Sequence, residues 1–320
     1  MGMVTKLPVH LSRRGFARAL AGAAFAPLFG VARAARLATL AWEPEQSPKL
    51  NLACHYRADA HVLLLGVPLL HRQNVGGGSV LWREFGAGGA TRLLEFRGYS
   101  SPERAAGLNR IGFIREMARS QDLGAECIYF GLMTSSPEDS ADDARKALHS
   151  TAKDQTYSAV DGRIAEGESE TRIAHFSAPA AVSGEQSDEL VERAQRALAT
   201  AEKITAQDPG SGSSQSFLQA MANLLLRPET GEGRYLYSGR QYRIQVTRSM
   251  DAKATTYFRE KKMVAAESQV IRISGRVRRL GGGKETEFRL WVADGTERPL
   301  PLRIEYQPKS YLRLMFESVG

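Results

Sequence analysis

Tyr235-Leu236-Tyr237-Ser238-Gly239-Arg240-Gln241-Tyr242-Arg243-Ile244-Gln245-Val246 is the stretch that sets the fold class. Residues 235, 237, 242, 244 and 246 are apolar or aromatic and alternate with Gly, Arg and Gln, the period-two mark of strands with one buried face. A Gly-Arg step turns the chain between the two halves. The same grammar continues downstream. Val270, Ile271, Ile273 and Val277 lead into Gly281-Gly282-Gly283, and Phe288, Leu290 and Val292 into Asp294-Gly295. Leu300, Leu302, Ile304 and Tyr306 make the next strand, and 311–316 the last. Strands joined by such turns predict an antiparallel meander, a curved sheet or half-barrel. Arg272, Arg276, Arg278, Arg289, Arg303 and Arg313 fall on its outward positions, as a solvated face or a basic surface for an anionic partner.

Working back toward the N-terminus, 217–226 reads as a short apolar helix, and 208–216, with Asp-Pro-Gly-Ser-Gly-Ser-Ser, as a linker or loop. Before it, 187–207 has the helical spacing Leu190, Ala194, Leu198, Ala201. The apolar run 61–70 suits a buried strand ending near Pro68, and Gly76-Gly77-Gly78 a hairpin turn. Further strands are expected at 92–99, 127–133 and 171–177. Ser101-Pro102-Glu103, followed by Leu108, Ile111, Ile114 and Met117 at three-residue spacing, predicts a helix. Ser135-Ser136-Pro137-Glu138 predicts a second, running to about His149. The fold class is therefore α+β: a mixed α/β region over 35–207, then a β-rich region over 217–320.

Residues 1–34 have a different character. Ser12-Arg13-Arg14-Gly15-Phe16 precedes the weakly apolar run 19–31 and then Ala32-Arg33-Ala34. This order resembles the bacterial twin-arginine (Tat) signal peptide, with cleavage after Ala34. The apolar run is shorter than the roughly 20 residues a spanning helix needs. The resemblance implies handling by the Tat translocase and signal peptidase, and a periplasmic mature chain without a transmembrane helix. Five of the basic residues lie in this segment, so most of the formal charge of +8 leaves with it. Nucleic-acid binding loses its support accordingly.

Two cysteines, Cys54 and Cys127, would form one disulfide in an oxidising compartment or remain as two buried thiols. No nucleophile elbow, zinc-protease helix, phosphate loop or dinucleotide fingerprint is present, and no cofactor site is read. His55, Asp59 and His61 share one face of a strand and are the candidate metal ligands. Tyr235, Tyr237, Tyr242, Trp291 and Phe316 would line an apolar cavity if the meander curves.

Gln219 to Leu226, then Tyr237-Ser238-Gly239-Arg240-Gln241-Tyr242-Arg243-Ile244, then Leu290-Trp291-Val292-Ala293-Asp294-Gly295 running into Leu300-Pro301-Leu302-Arg303-Ile304 resemble the exported proteobacterial domain of unknown function 3108 family. The resemblance implies a curved antiparallel sheet similar to the half-barrel of periplasmic lipoprotein-sorting carriers. Together these readings point to a non-enzymatic periplasmic protein binding a hydrophobic or amphipathic envelope ligand (lipid or lipoprotein) or a partner protein. The alternative is an exported cofactor-free hydrolase acting on cell-envelope material.

Overall fold

The computed structural model describes residues 47–64, 67–86, 90–105, 109–121, 124–135, 154–165, 168–179, 187–207, 215–283, 285–309 and 312–319. All fall in one compact unit, Ala41–Gly320. The Tat-like segment with Arg13, Arg14 and Ala34, most of the Gly/Ser-rich stretch, and the helix expected from Ser135 lie outside them.

The described residues form one 14-stranded antiparallel sheet, curved and unclosed, with three helices. Its strands are β1 (Leu50–Leu64), β2 (Val67–Phe85), β3 (Thr91–Ser100), β4 (Ile111–Gln121), β5 (Gly124–Thr134), β6 (Asp154–Ala165) and β7 (Glu168–Pro179). After helix α1 (Ser187–Ala199) come β8 (Lys203–Gln207), helix α2 (Phe217–Leu226), β9 (Glu232–Tyr237) and β10 (Arg240–Met250). Helix α3 (Ala252–Glu260), β11 (Val270–Arg279), β12 (Thr286–Ala293), β13 (Arg303–Lys309) and β14 (Leu312–Ser318) complete it. The spatial order runs from β8 down to β1, then through β14 down to β9. Thus β1 is the joint between two meanders, pairing with β2 on one side and β14 on the other.

The C-terminal meander follows the sequence reading. Ser238 and Gly239 take φ of 52° and 65°, the left-handed pair of a two-residue hairpin whose twist matches its strands. Register then fixes which side chains face inward. Tyr235, Ile244, Val246, Ile273, Phe288, Leu290 and Val292 pack in one cluster with α2.

The N-terminal half departs from it. The region read as a helix through Ile111, Ile114 and Met117 is strand β4, and Ser101–Ala105 makes only a turn closed by Ala105 N–H to Ser101 O at 2.7 Å. The physical reason is burial on both faces. Ile111, Phe113 and Met117 lie on one side, and Ile114 lies on the other with buried Glu116, so apolar residues occur at both parities and the period-two signal disappears. The run 61–70 is not one buried strand. It spans the end of β1 and the start of β2, with Val67, Leu69 and Leu70 exposed.

Gly76-Gly77-Gly78 is no turn but the middle of β2. A Cβ on Gly76 would lie 1.9 Å from the Tyr99 carbonyl oxygen, and one on Gly78 would lie 3.3 Å from the Phe316 ring. The glycines let neighbouring backbone and an aromatic ring approach where the sheet curves. The helix expected over 187–207 stops at Ala199; residues Lys203–Gln207 pair with β7 as an edge strand instead. Helix α3 carries no apolar stripe long enough to announce itself. It begins at Asp251, whose Oδ1 accepts the Ala254 N–H at 3.0 Å.

Each helix covers a defined part of the sheet. Leu190, Ala194 and Leu198 of α1 pack on Phe113, Phe130, Leu132 and Tyr157, the outer face of the N-terminal meander. Helix α3 packs Ala254 and Phe258 on Val270 and Trp291, the outer face of the other. Helix α2 lies on the inner face. Ala220 and Leu224 meet β9–β12, while Leu218, Ala222 and Leu226 meet Trp82 and Leu94.

Candidate functional site

The inner face is organised around Glu116 of β4. Cross-strand pairing places it on the same face as Leu94 and Tyr129. It is fully buried, and its described partners are neutral donors at the start of α2. Ser216 Oγ–H and the Leu218 N–H donate to Oε1 at 2.8 and 2.9 Å, and the Gln219 N–H donates to Oε2 at 2.9 Å. The Ser216 side chain makes no cap bond to its own helix, so a strand carboxylate takes the N-cap role. Burial pushes the Glu116 carboxyl up to about 7, against the pull of those helix-terminal donors. Nearby, the Gln219 Nε2 group is buried without a partner.

The candidate aromatic residues are divided among three clusters. Tyr235 stacks on Tyr242 with ring centroids 4.9 Å apart and meets Phe217 of α2 at 5.4 Å. Tyr237 reaches across to Tyr129, 5.2 Å away, filling the space left by Gly131. Burial raises the phenols of both Tyr235 and Tyr237, so neither ionises at ordinary pH. Trp291 lies elsewhere, on the outer face, where its indole N–H donates to Asp251 Oδ2 at 2.9 Å. Phe316 packs with Tyr56 and Ala58. The three tyrosines therefore surround α2 or its approaches, while Trp291 and Phe316 belong to other parts of the core.

Asp59 and His61 are brought together, but with His71 rather than His55. The β1–β14 register is unbroken from Tyr56 to Val62, which keeps Arg57, Asp59 and His61 on one face. A bulge opposes Asp59 to residues 73–75 of β2, and Asn74 there has φ 54°. Asp59 Oδ1 accepts the Asn74 N–H at 2.7 Å, and Oδ2 lies 3.4 Å from His71 Nε2. His61 and His71 stack with centroids 4.3 Å apart. His71 escaped sequence reading because the bulge sets its register. Burial, then the neighbouring His71 and Arg313, lower the His61 pKa against the opposite pull of Glu305 and Asp59. Among the described residues no group of three or more His, Cys, Asp or Glu side chains is arranged to hold a metal ion.

Cys54 and Cys127 are free thiols in this structure, the second of the two states the sequence left open. They sit on β1 and β5, four strand steps apart, roughly 19 Å at the usual strand spacing. A disulfide needs Cα atoms within about 7 Å.

The outer face of β10–β14 forms an open cleft of about 580 Å³ lined by Gln245, Thr247, Arg276, Glu287, Arg289, Glu305 and Arg313, among others. It is mixed in charge rather than basic. Arg289 pairs with Glu305 at 3.3 Å and Arg276 with Glu285 at 3.5 Å. Arg303 is not on a solvated row: it bonds buried Glu317 at 2.6 Å, beside Tyr257 and Lys261.

No protein-family model matches the chain, and no curated protein matches it. Neither comparison finds the 3108 family. Among solved structures, the crystal structure of a beta-barrel-like protein of domain of unknown function DUF1849 from Brucella abortus is similar, at TM-score 0.43 and 10% identity, covering 86% of this chain and 98% of that one. Among the described residues no helix is long and apolar enough to cross a membrane.

Proposed function

We propose that this chain is an exported, non-enzymatic binding protein of the periplasm. Its inner-face groove takes a hydrophobic or amphipathic envelope ligand, a lipid or the acyl end of a lipoprotein, in the place α2 occupies. The observation that supports this reading is α2 itself. It is an apolar helix of 10 residues lying between the two halves of a curved sheet, with apolar contacts on both sides. Its anchor is a buried carboxylate held near the balance between its charged and neutral forms, and Gly210-Ser211-Gly212-Ser213-Ser214 precede it in the chain. A segment so attached is an internal stand-in for an apolar ligand: it keeps the groove dry until something better fills it. Pockets of this kind bind through apolar walls and a few placed polar groups, here Glu116 and Gln219.

Native mass spectrometry of the protein purified from its own periplasm, before and after solvent extraction, tests the reading. A lipid-sized mass lost on extraction, with hydrogen exchange at 217–226 slower after extraction, is expected as α2 returns to the groove. A bare polypeptide mass with unchanged exchange on adding envelope lipid extract refutes it. Export is tested separately. Replacing Arg13 and Arg14 by Lys is expected to leave the chain uncleaved in the cytoplasm, and normal periplasmic recovery of that variant rejects the twin-arginine route.

A further inference from the structure

The two ends of α2 meet side chains of opposite charge. Residues 217–226 include no charged residue, so the helix faces the sheet with apolar side chains, neutral amides and its own backbone groups. Glu116 meets the donors at its start. Two arginines meet its end, where the backbone presents unpaired carbonyls. Arg248 of β10 shares the parity of buried Ile244 and Val246, and its guanidinium donates to the Leu224 carbonyl at 2.6 Å and the Thr230 carbonyl at 2.9 Å. Arg92 of β3 shares the parity of Leu94. It lies over the Trp82 ring and donates to the Asn223 side-chain oxygen at 3.1 Å.

What α2 gives these arginines is neutral. Arg92 Nε is buried without a hydrogen bond. The Glu84 carboxylate 3.7 Å from it is already held by Arg298, at 2.9 and 3.2 Å, and by the Trp82 indole N–H at 3.0 Å. Burial lowers the pKa of both guanidiniums, against the pull of Glu84 on Arg92 and of exposed Glu229 on Arg248. Arg298 and Arg227 add further positive charge around Arg92. A guanidinium short of water gains more from an anionic oxygen than from a neutral carbonyl, because Coulomb attraction and a two-pronged geometry add to the hydrogen bond. The groove thus has a cationic end and an acidic one. Between them α2 fills about 15 Å with its 10 residues, room for an acyl chain of medium length.

We propose that the groove's ligand is an amphiphile with an anionic headgroup, a phosphate or carboxylate, seated on Arg92 and Arg248, its acyl chain running along Trp82 and Leu94 toward Glu116. This rests on the reading of α2 as a stand-in for the ligand. Glu116 repels an anion at the other end, so the orientation is fixed. The test is calorimetric titration of the full chain with lysophosphatidic acid and with the monoacylglycerol of the same acyl chain, each below its micelle-forming concentration. Hydrogen exchange at 217–226 is followed alongside. Displacing α2 costs the same for both lipids, so the ratio of their Kd values reads the headgroup alone. The phosphate form is expected to bind roughly tenfold tighter, and exchange at 217–226 to quicken with either lipid. The double variant Arg92→Gln, Arg248→Gln keeps a side-chain donor at each place and is expected to bind the two lipids about equally. Equal affinities in the wild type overturn the headgroup assignment, need no variant to fold, and leave the groove reading standing. An undiminished preference in the double variant overturns the role of the two arginines. Inorganic phosphate binding as tightly as lysophosphatidic acid overturns the lipid source. Binding of neither lipid, with unchanged exchange, overturns the groove reading and this assignment with it.

Discussion

The Gln219 backbone N–H donates to Glu116 Oε2 at 2.9 Å, joining residues 103 positions apart and tying the start of α2 to the inner face of β4. The carboxylate substitutes for a local cap, and its burial makes the tie sensitive to pH.

The folded-state pKa of Glu116, about 7, lies above its ordinary value of 4.5. Between these values the folded protein holds a proton that the unfolded chain has lost. Stability from this group is therefore highest below the lower value and declines to a plateau as pH rises through the upper one. Denaturant unfolding of wild type and Glu116→Gln between pH 4.5 and 8 checks this: the difference between the two should change with that slope. Glu116→Ala should cost about 1–3 kcal/mol at pH 4.5, because the α2 donors are left unpaired, and less at pH 8, where the wild type has lost the contribution of the protonated carboxyl.

A methyl group on Gly131 would lie 1.9 Å from the Tyr237 hydroxyl oxygen and 3.1 Å from its ring carbon. Gly131→Ala is expected to destabilise by about 1–3 kcal/mol through overpacking. Tyr237→Phe in the same chain should recover part of that loss, since it removes the nearer atom. A double-mutant cycle by urea unfolding measures the coupling, and strictly additive costs contradict the contact.

Cys127 is fully buried and Cys54 half-buried, and burial raises the Cys127 thiol well above its ordinary value. A thiol-specific chromogenic reagent should react at most with Cys54 in the native protein and with both after denaturation without reductant. An intact mass 2 Da low, about the loss of two hydrogens, would mean that a disulfide forms after all.

Buried Glu317 accepts bonds from Tyr257, Lys261 and Arg303 at 2.5, 2.7 and 2.6 Å, binding α3 and its C-terminal end to β13 and β14. Burial pushes its carboxyl up, but these bonds outweigh it and leave the pKa lowered. The stability it contributes is thus present above the unfolded carboxylate range and lost as pH falls through the lowered folded value. Glu317→Ala should cost about 3 kcal/mol or more, leaving cations beside an emptied partly buried site. Thermal melts at pH 7 and pH 3 should differ less in the variant than in the wild type.

Legibility from sequence divided along the chain. In 232–318 each strand buries one face, so alternation, Gly-rich turns and Asp294-Gly295 together announced the meander, and the α2 helix before it was legible from its apolar run. In 76–134 the strands bury side chains of both parities, among them Leu93 and Leu94, Glu116 and Met117, and Tyr129 and Phe130. There the alternation vanishes, a three-residue spacing imitates a helix, and glycines selected for close packing imitate turns. The tyrosines at 235, 237 and 242 could be read as one aromatic group because they share one hairpin. That Trp291 faces away from them follows from the parity of β12, which sequence alone leaves open.

By itself, then, the sequence determined the antiparallel character of the C-terminal half, its turns, and the chemical inventory, because those depend on local periodicity and backbone preference. Only the tertiary structure decided that β1 joins the two meanders, that His71 rather than His55 meets Asp59, and that Glu116 caps a helix from a distant strand. Those outcomes depend on register and curvature, which are set by the packing of the whole sheet and leave no short-range trace.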